Sequence, residues 1–313
     1  MRIVALAGGI GAGKLLRGLV RVVPASDVAV IVNTADDVTM HGLHVSPDLD
    51  SVTYWLGDVF DRERGWGRRG ETFRATEELR TLDPELAWFG LGDLDLATHL
   101  FRTNRLAAGE TLSEVTARIA DRFGVGSRLL PMSDDRVETR VVVVADGAEL
   151  DLHFQEYWVR RGARDEVKGV RYEGAASARP APGVLEAIRG ADAIVLCPSN
   201  PVASLGPILA VPGIREGLAA RRDRVVGISG IVGGAPLAGM ADKLMPVAGV
   251  EVTAAGAAAC YEGLLSAWVV DEADRALVPR IEATGVRVGV TDTIMTDDER
   301  AAEVARLALA LLP

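Results

Sequence analysis

Apolar residues in this chain gather into short runs broken by glycine and acidic stretches. Arg2–Ala7 is continuously apolar after its first residue, as a strand buried on both faces would be. Gly8 to Gly13 is a glycine turn, Lys14–Val23 places apolar residues at helical spacing, and Val28–Val32 is a second buried strand. This β-loop-α-β opening predicts a parallel, doubly wound α/β sheet. Thr34 to Asp50 is polar and reads as irregular. Helical periodicity then predicts helices over Ser51–Leu56, Phe73–Leu82, Leu96–Arg105 and Leu112–Phe123, with no strand between them. The expectation is an inserted helical region over about residues 50–125 within one domain spanning 1–313.

Farther along, Val137–Ala145 and Leu150–Phe154 flank Asp146-Gly147, a hairpin signal. Ala193–Leu196 and Arg224–Ser229 are short buried strands, the first running into Pro198-Ser199-Asn200-Pro201 and the second into a glycine-rich stretch. The tail alternates: a helix near Ala257–Ser266, a strand near Ala267–Asp271, a helix near Asp274–Ala283, a strand near Val286–Val290 and a final helix over Asp298–Leu312.

Composition narrows the function. Among 313 residues, 49% are apolar and 25% charged, which suits a globular core that needs no staples. The cysteines, Cys197 and Cys260, lie far apart and make no metal spacing with the four histidines, so buried thiols in a reducing compartment are expected. A net charge of −10 argues against nucleic acid as a partner. Met1–Ala7 lacks the features of a signal peptide and no apolar run is long enough to span a bilayer, so a cytoplasmic protein with no membrane partner is expected.

Two segments carry candidate chemistry. Gly8-Gly9-Ile10-Gly11-Ala12-Gly13-Lys14 fits GxxxxGK, whose glycines aim backbone N–H groups at phosphate oxygens while the lysine adds charge. The following residue should be Ser or Thr, to hold magnesium, and is Leu15. That weakens a kinase or NTPase reading. The dinucleotide fingerprint fails too, because Lys14 stands where its third glycine should be. A loop approaching an anionic group, through Gly9, Gly11, Gly13 and Lys14, is set against a tight turn with no ligand. Asp36, Asp37, Asp48 and Asp50 fall within fifteen residues just past a strand end, where open α/β sheets bind ligands. Such carboxylates would hold magnesium or help deprotonate a hydroxyl; alone, the cluster also fits a solvated loop. Ser199 and Asn200 suit ribose, base or phosphate, or simply a turn.

The ordered set GGIGAGKLLRGL (8–19), VNTADD (32–37), SPDLDSVTYWL (46–56), RGWG (64–67), ETFRATEEL (71–79), LGDLDLATHLFRTN (91–104), LLPMSDDRVET (129–139), HFQEYWV (153–159), PSNPVASLGPIL (198–209) and MADKLMPVAGVEV (240–252) resembles the family of 2-phospho-L-lactate transferases and their actinobacterial phosphoenolpyruvate-using relatives. The resemblance covers the chain nearly end to end. It implies a modified Rossmann-like, mostly parallel sheet with an inserted helical region, and a homodimer. It also implies a reaction. The terminal ribityl hydroxyl of the deazaflavin Fo attacks the phosphate of a guanosine diphosphate-linked three-carbon acid, and GMP leaves. The acid is of the phosphoenolpyruvate, 2-phospholactate or 3-phosphoglycerate type, and the product is a form of coenzyme F420-0.

Carried onto this sequence, the family implies catalytic roles for Asp50 and Asp36, with Asp50 against the Fo hydroxyl end, and magnesium held by Asp36 and Asp48. Gly90 and Asp93 would border the deazaflavin, while Asn33, Ser199 and Asn200 would contact GDP. Two positions depart from the family: Leu94 stands where a basic residue is common, and Gly230 where proline is common. His41, His44, His99 and His153 read as structural. Trp55, Trp66, Trp88, Tyr157 and Trp158 divide between core packing and stacking on the flat acceptor. The alternative outside enzymology is a nucleotide-sugar-binding regulator of the related gluconeogenesis-factor branch.

Overall fold

The computed structural model describes residues 1–313, and its opening follows the expected order: β1 (Ile3–Ala7), α1 (Ile10–Val22) and β2 (Val28–Val32). The glycine turn is shorter than expected. Only Gly8 and Gly9 lie before the helix, and Gly11 and Gly13 already belong to α1. None of these glycines has positive φ. Close approach explains them instead: a Cβ on Gly11 would overlap the Pro198 carbonyl, and one on Gly13 the Trp55 ring.

The stretch expected to be irregular holds a small hairpin, β3 (Val38–Met40) and β4 (Leu43–Val45). The helical region then runs as α2 (Pro47–Leu56), α3 (Arg74–Leu82), α4 (Asp93–Ala107) and α5 (Leu112–Arg122), close to the expected bounds. Helices α2 and α4 begin a turn earlier than periodicity indicated. Pro47 pre-sets helical φ where its missing N–H costs nothing, and Asp48, Asp50, Asp93 and Asp95 favour the positive end of a helix dipole. Asp48 and Asp50 are therefore helical residues, not loop residues.

β5 (Arg128–Pro131) follows, a strand that periodicity missed. The expected hairpin is β6 (Glu138–Ala145) and β7 (Ala148–His153), turning at Asp146 and Gly147 with φ of 50° and 78°. The mixed polar segment β8 (Glu166–Glu173) pairs with the other side of β6 to complete a three-stranded antiparallel sheet. β9 (Ala193–Leu196), β10 (Val225–Ile228) and the strands Ala267–Asp271 and Arg287–Thr291 lie where expected, and the chain ends in the helix Asp298–Ala310.

The main sheet has seven strands, all parallel, in the order Arg287–Thr291, Ala267–Asp271, β10, β9, β1, β2, β5. From β1 the chain winds outward to β5, then returns to β9 on the other side. The reversal lies between β1 and β9, as in Rossmann-like sheets. β1 is buried on both faces: Val4 and Leu6 enter one core, and Ile3, Ala5 and Ala7 the other. On the second face, α1 crosses the C-terminal helix so closely that a Cβ on Gly18 would overlap the Ala301 backbone. No helix is long and apolar enough to cross a membrane.

Candidate active site

A cavity of about 830 Å³ opens at the carboxyl ends of β1, β9 and β10, where the strand order reverses. Gly9, Gly11 and Lys14 supply one wall, and Pro198–Pro201 the second. Pro47, Asp48, Ser51 and Tyr54 repeat at helical spacing and present one face of α2 as the third. The inserted region closes the far end with Trp66, Gly90, Asp95 and His99.

At the glycine end, Gly8 N–H donates to Ser199 Oγ at 3.1 Å. A Cβ on Gly9 would stand 2.6 Å from Asp48 Oδ1, so the glycine admits that carboxylate. Asn33 Nδ2 donates to Asp48 Oδ2 at 2.9 Å, while its own Oδ1 accepts from Ala35 N–H at 3.0 Å. Asp36 is buried and its Oδ1 has no partner. Asp37 is held by His44 Nε2 at 2.8 Å and Ser46 Oγ at 2.6 Å.

These carboxyls resist ionisation together. Burial, then Asp48 and Asp37, push Asp36 well above the usual carboxylate range. Burial and Asp37 push Asp48 up to about 7 despite the Asn33 hydrogen bond, and burial raises Asp37. An orphaned carboxyl oxygen among like charges fits a cation. No three His, Cys, Asp or Glu side chains converge on one point, so Asp36 and Asp48 would supply only part of a coordination sphere. Magnesium commonly takes the remainder from phosphate and water.

Asp50 lines the cavity, but Arg102 takes both of its oxygens, Oδ2 at 3.1 Å. Arg102 is itself buried and also donates to the His44 carbonyl at 3.3 Å. His99 Nδ1 lies 3.7 Å from Asp50, and burial pushes its pKa down to about 4, so it stands neutral beside the pair.

The remaining expected site residues divide. Gly90, Ser199 and Asn200 line the cavity, and Lys14 reaches its mouth. The Asn200 side-chain oxygen Oδ1 is occupied locally by Val202 and Ala203 N–H, as a turn residue's would be. Asn33 lies behind the wall and acts through Asp48, and Gly13 faces Trp55 away from the cavity. Asp93 points elsewhere: it accepts from Thr72 Oγ1 and from the N–H groups of Arg74 and Ala75, which hold its pKa low and anchor the start of α3. Leu15 is buried in the core, so a magnesium-binding hydroxyl is absent from that position.

Sequence reasoning missed Asp95, Arg102, Tyr54 and Ser229. A signal was present. Asp95, Thr98, His99 and Arg102 make a polar stripe on α4 that faces inward, while Leu94, Leu100 and Phe101 are exposed. That inverted amphipathicity marks a helix turned toward a polar site. The histidines are also closer to the chemistry than expected. His44 holds the Asp37 side chain, His153 Nε2 lies 3.1 Å from the Asp37 carbonyl oxygen, and His99 flanks Asp50. Of the aromatics, Trp66 and Trp158 border the cavity, whereas Trp55 stacks on Phe60 in a small core.

Comparison with known proteins follows the same lines. The family model described as 2-phospho-L-lactate transferase CofD matches residues 3–307. A phosphoenolpyruvate transferase of Streptomyces griseus is 53% identical over 312 residues, covering 99% of this chain and 98% of that protein. One from Mycolicibacterium smegmatis is 43% identical over 327 residues, with the same coverage of 99% and 98%. Two crystal structures of a Bacillus halodurans protein, one titled as a member of the UPF0052 family, share the fold. Their TM-scores are 0.64 and 0.63, at 21% and 18% identity, over 98% and 97% of this chain and 99% and 98% of theirs.

Proposed function

The chain belongs to the 2-phospho-L-lactate transferase family and is a transferase of phosphate-containing groups, and from that premise we propose that it transfers a phospho-three-carbon-acid group from a guanosine diphosphate-linked donor to the terminal ribityl hydroxyl of Fo. The relatives named phosphoenolpyruvate transferase favour the enolpyruvyl group. The observation that carries the reading is one continuous cavity with two unlike ends. One end gathers the orphaned Asp36, Asp48 and the Gly8–Gly9 turn; the other is flat and aromatic, with Trp66 beside Gly90. Helix rise separates Asp48 from Tyr54 along this wall by about 9 Å, a span suited to an extended polyol chain.

In the reaction, the ribityl oxygen attacks the phosphorus that bears the three-carbon acid. A new P–O bond forms, the P–O bond to GMP breaks, and GMP leaves with the bonding pair. Such transfers depend on positioning and charge neutralisation more than on a strong base. Asp50 accepts a hydrogen bond from the attacking hydroxyl and takes its proton late, while Arg102 fixes the carboxylate's direction. Gly9 lets the Asp48 carboxylate stand close against the glycine turn, Lys14 at the mouth offers positive charge, and Ser199 and Asn200 face the nucleotide portion. Asp36 and Asp48 would hold magnesium, which neutralises phosphate charge when bound.

The test is to incubate the purified protein with Fo, magnesium and an equimolar mixture of the enolpyruvyl, lactyl and glyceryl guanosine diphosphate donors, and read products by mass. The expected result is an Fo adduct of enolpyruvyl-phosphate mass with one GMP released per adduct. No adduct from any donor, with Fo fluorescence unchanged by the protein, would overturn the reading.

A further inference from the structure

The inward stripe of α4 brings Asp95 to the wall of the cavity that the inserted region supplies, with Trp66 and Gly90. Asp95 is buried, and its Oδ1 has no hydrogen-bond partner. The groups around it offer little compensation. Asp50 and Tyr54 face it from α2, and the Tyr54 hydroxyl also lies 3.2 Å from Thr98 Oγ1. Glu71 approaches from the loop before α3, with its oxygens accepting from the N–H groups of Leu94 and Asp95, each at 2.7 Å. Arg64 and Arg68 of the same loop direct their guanidinium groups at the carbonyls of Trp66, Arg68 and Leu94. His99, on the same helix, stands neutral toward Asp50.

Burial, with Asp50 and Glu71 acting in the same direction, outweighs the Tyr54 hydroxyl's hydrogen bond and the Arg68 charge and pushes the Asp95 carboxyl up to about 7. The slot beside it is flat. Trp66 is 40% exposed, and a Cβ on Gly90 would meet its ring at 3.2 Å.

We propose that Asp95 reads the acceptor's heterocycle, pairing through its carboxyl group with a lactam edge, an N–H beside a C=O. The proposal rests on the transferase reading above, with Fo as the acceptor. A neutral carboxyl presents an O–H donor beside a C=O acceptor, and a lactam presents the complement, so two hydrogen bonds form in one plane. An ionised carboxylate offers only acceptors, which would face the lactam carbonyl oxygen. It would instead suit the adjacent donors of guanine. The protonation of Asp95 thus decides whether its carboxyl group complements the acceptor ring's lactam edge.

The test is equilibrium binding of Fo, followed by its fluorescence from pH 6 to 8.5, for the parent, Asp95→Asn and Asp95→Ala, with GDP binding measured alongside. The ligand's own titration is common to all three proteins and cancels in ratios of Kd. Relative to Asp95→Asn, the parent should lose about tenfold in Fo affinity by pH 8.5, as the carboxyl ionises and a hydrogen bond is lost. Asp95→Asn keeps a donor beside an acceptor and should hold its affinity across that range. Asp95→Ala, checked for folding by its thermal melt, should be about tenfold weaker at pH 6. GDP binding should be the same in all three. Parent binding of Fo that tracks Asp95→Ala at every pH would overturn the proposal, and so would an Asp95→Asn effect confined to GDP. Absence of Fo binding by the parent would overturn the transferase reading itself, and this role with it.

Discussion

Asp48 is the central residue at the glycine end of the cavity. It lines the cavity, Asn33 steadies one oxygen, and burial beside Asp37 keeps its carboxyl hard to ionise. Asp48→Asn should lower turnover by about a hundredfold or more, the scale of removing one charge-stabilising group. It should also raise the thermal midpoint, because a buried like charge is relieved. Unchanged turnover would exclude Asp48 from the site. Asp95 gives a pH signature. Its folded pKa is raised to about 7, so its contribution to stability is complete below the unfolded value of about 3.9 and is lost as pH rises through about 7. Asp95→Asn should therefore be more stable than the parent at pH 8, by up to about 4 kcal/mol, and the gap should close toward pH 5. Denaturant melts at both pH values measure it, and a gap independent of pH would refute the assignment. The aspartates of VNTADD and SPDLD were legible as chemistry from their density beside a strand end. Asp93 and Asp95 could not be ranked in the same way. Two residues apart in one helical turn, they point to opposite sides, and only their neighbours, Thr72 and Ala75 for one and the cavity for the other, distinguish them.

Among the elements, the glycines of α1 show how one sequence pattern can serve a different structural purpose. The sequence pattern suggested a phosphate-gripping loop, yet Gly11, Gly13 and Gly18 are helical and permit contact with Pro198, Trp55 and Ala301. Helix α1 is thereby held against β9's loop, α2 and the C-terminal helix, and that contact sets the width of the cavity's glycine end. Gly18→Ala, on the face remote from the cavity, tests the packing alone. It should cost about 1–3 kcal/mol, the usual penalty of overpacking, with Fo and GDP affinities retained. A denaturant melt unchanged from the parent would mean the two helices can separate freely. Strands β1, β2, β9 and β10 were legible because parallel strands buried on both faces are continuous apolar runs. β8 was not, since its residues alternate in a solvated antiparallel sheet and it is defined mainly by its pairing with β6.

Over the whole molecule, the sheet and its inserted helices act as two halves of one vessel. The sheet edge offers backbone donors and aspartates, and the insertion offers an aromatic slot beside Asp95. Ligand binding should therefore couple to stability across both. Saturating GDP with magnesium should raise unfolding free energy by about 2.7 kcal/mol at a hundredfold excess over Kd, with magnesium alone giving much less. Scanning fluorimetry of the four combinations checks it, and a GDP shift indifferent to magnesium would argue against Asp36 and Asp48 as a cation site. The α/β order, the helical insertion, the Asp146-Gly147 hairpin and the family were legible along the chain, because these reside in local periodicity, turn chemistry and ordered motifs. Packing in three dimensions set the rest. It paired Arg102 with Asp50, left Asp36 and Asp95 short of partners, and set Asn33 and Asp93 outside the cavity. Those outcomes depend on which distant side chains share a buried volume, and on how burial and neighbouring charge alter a carboxyl group, neither of which spacing along a chain encodes.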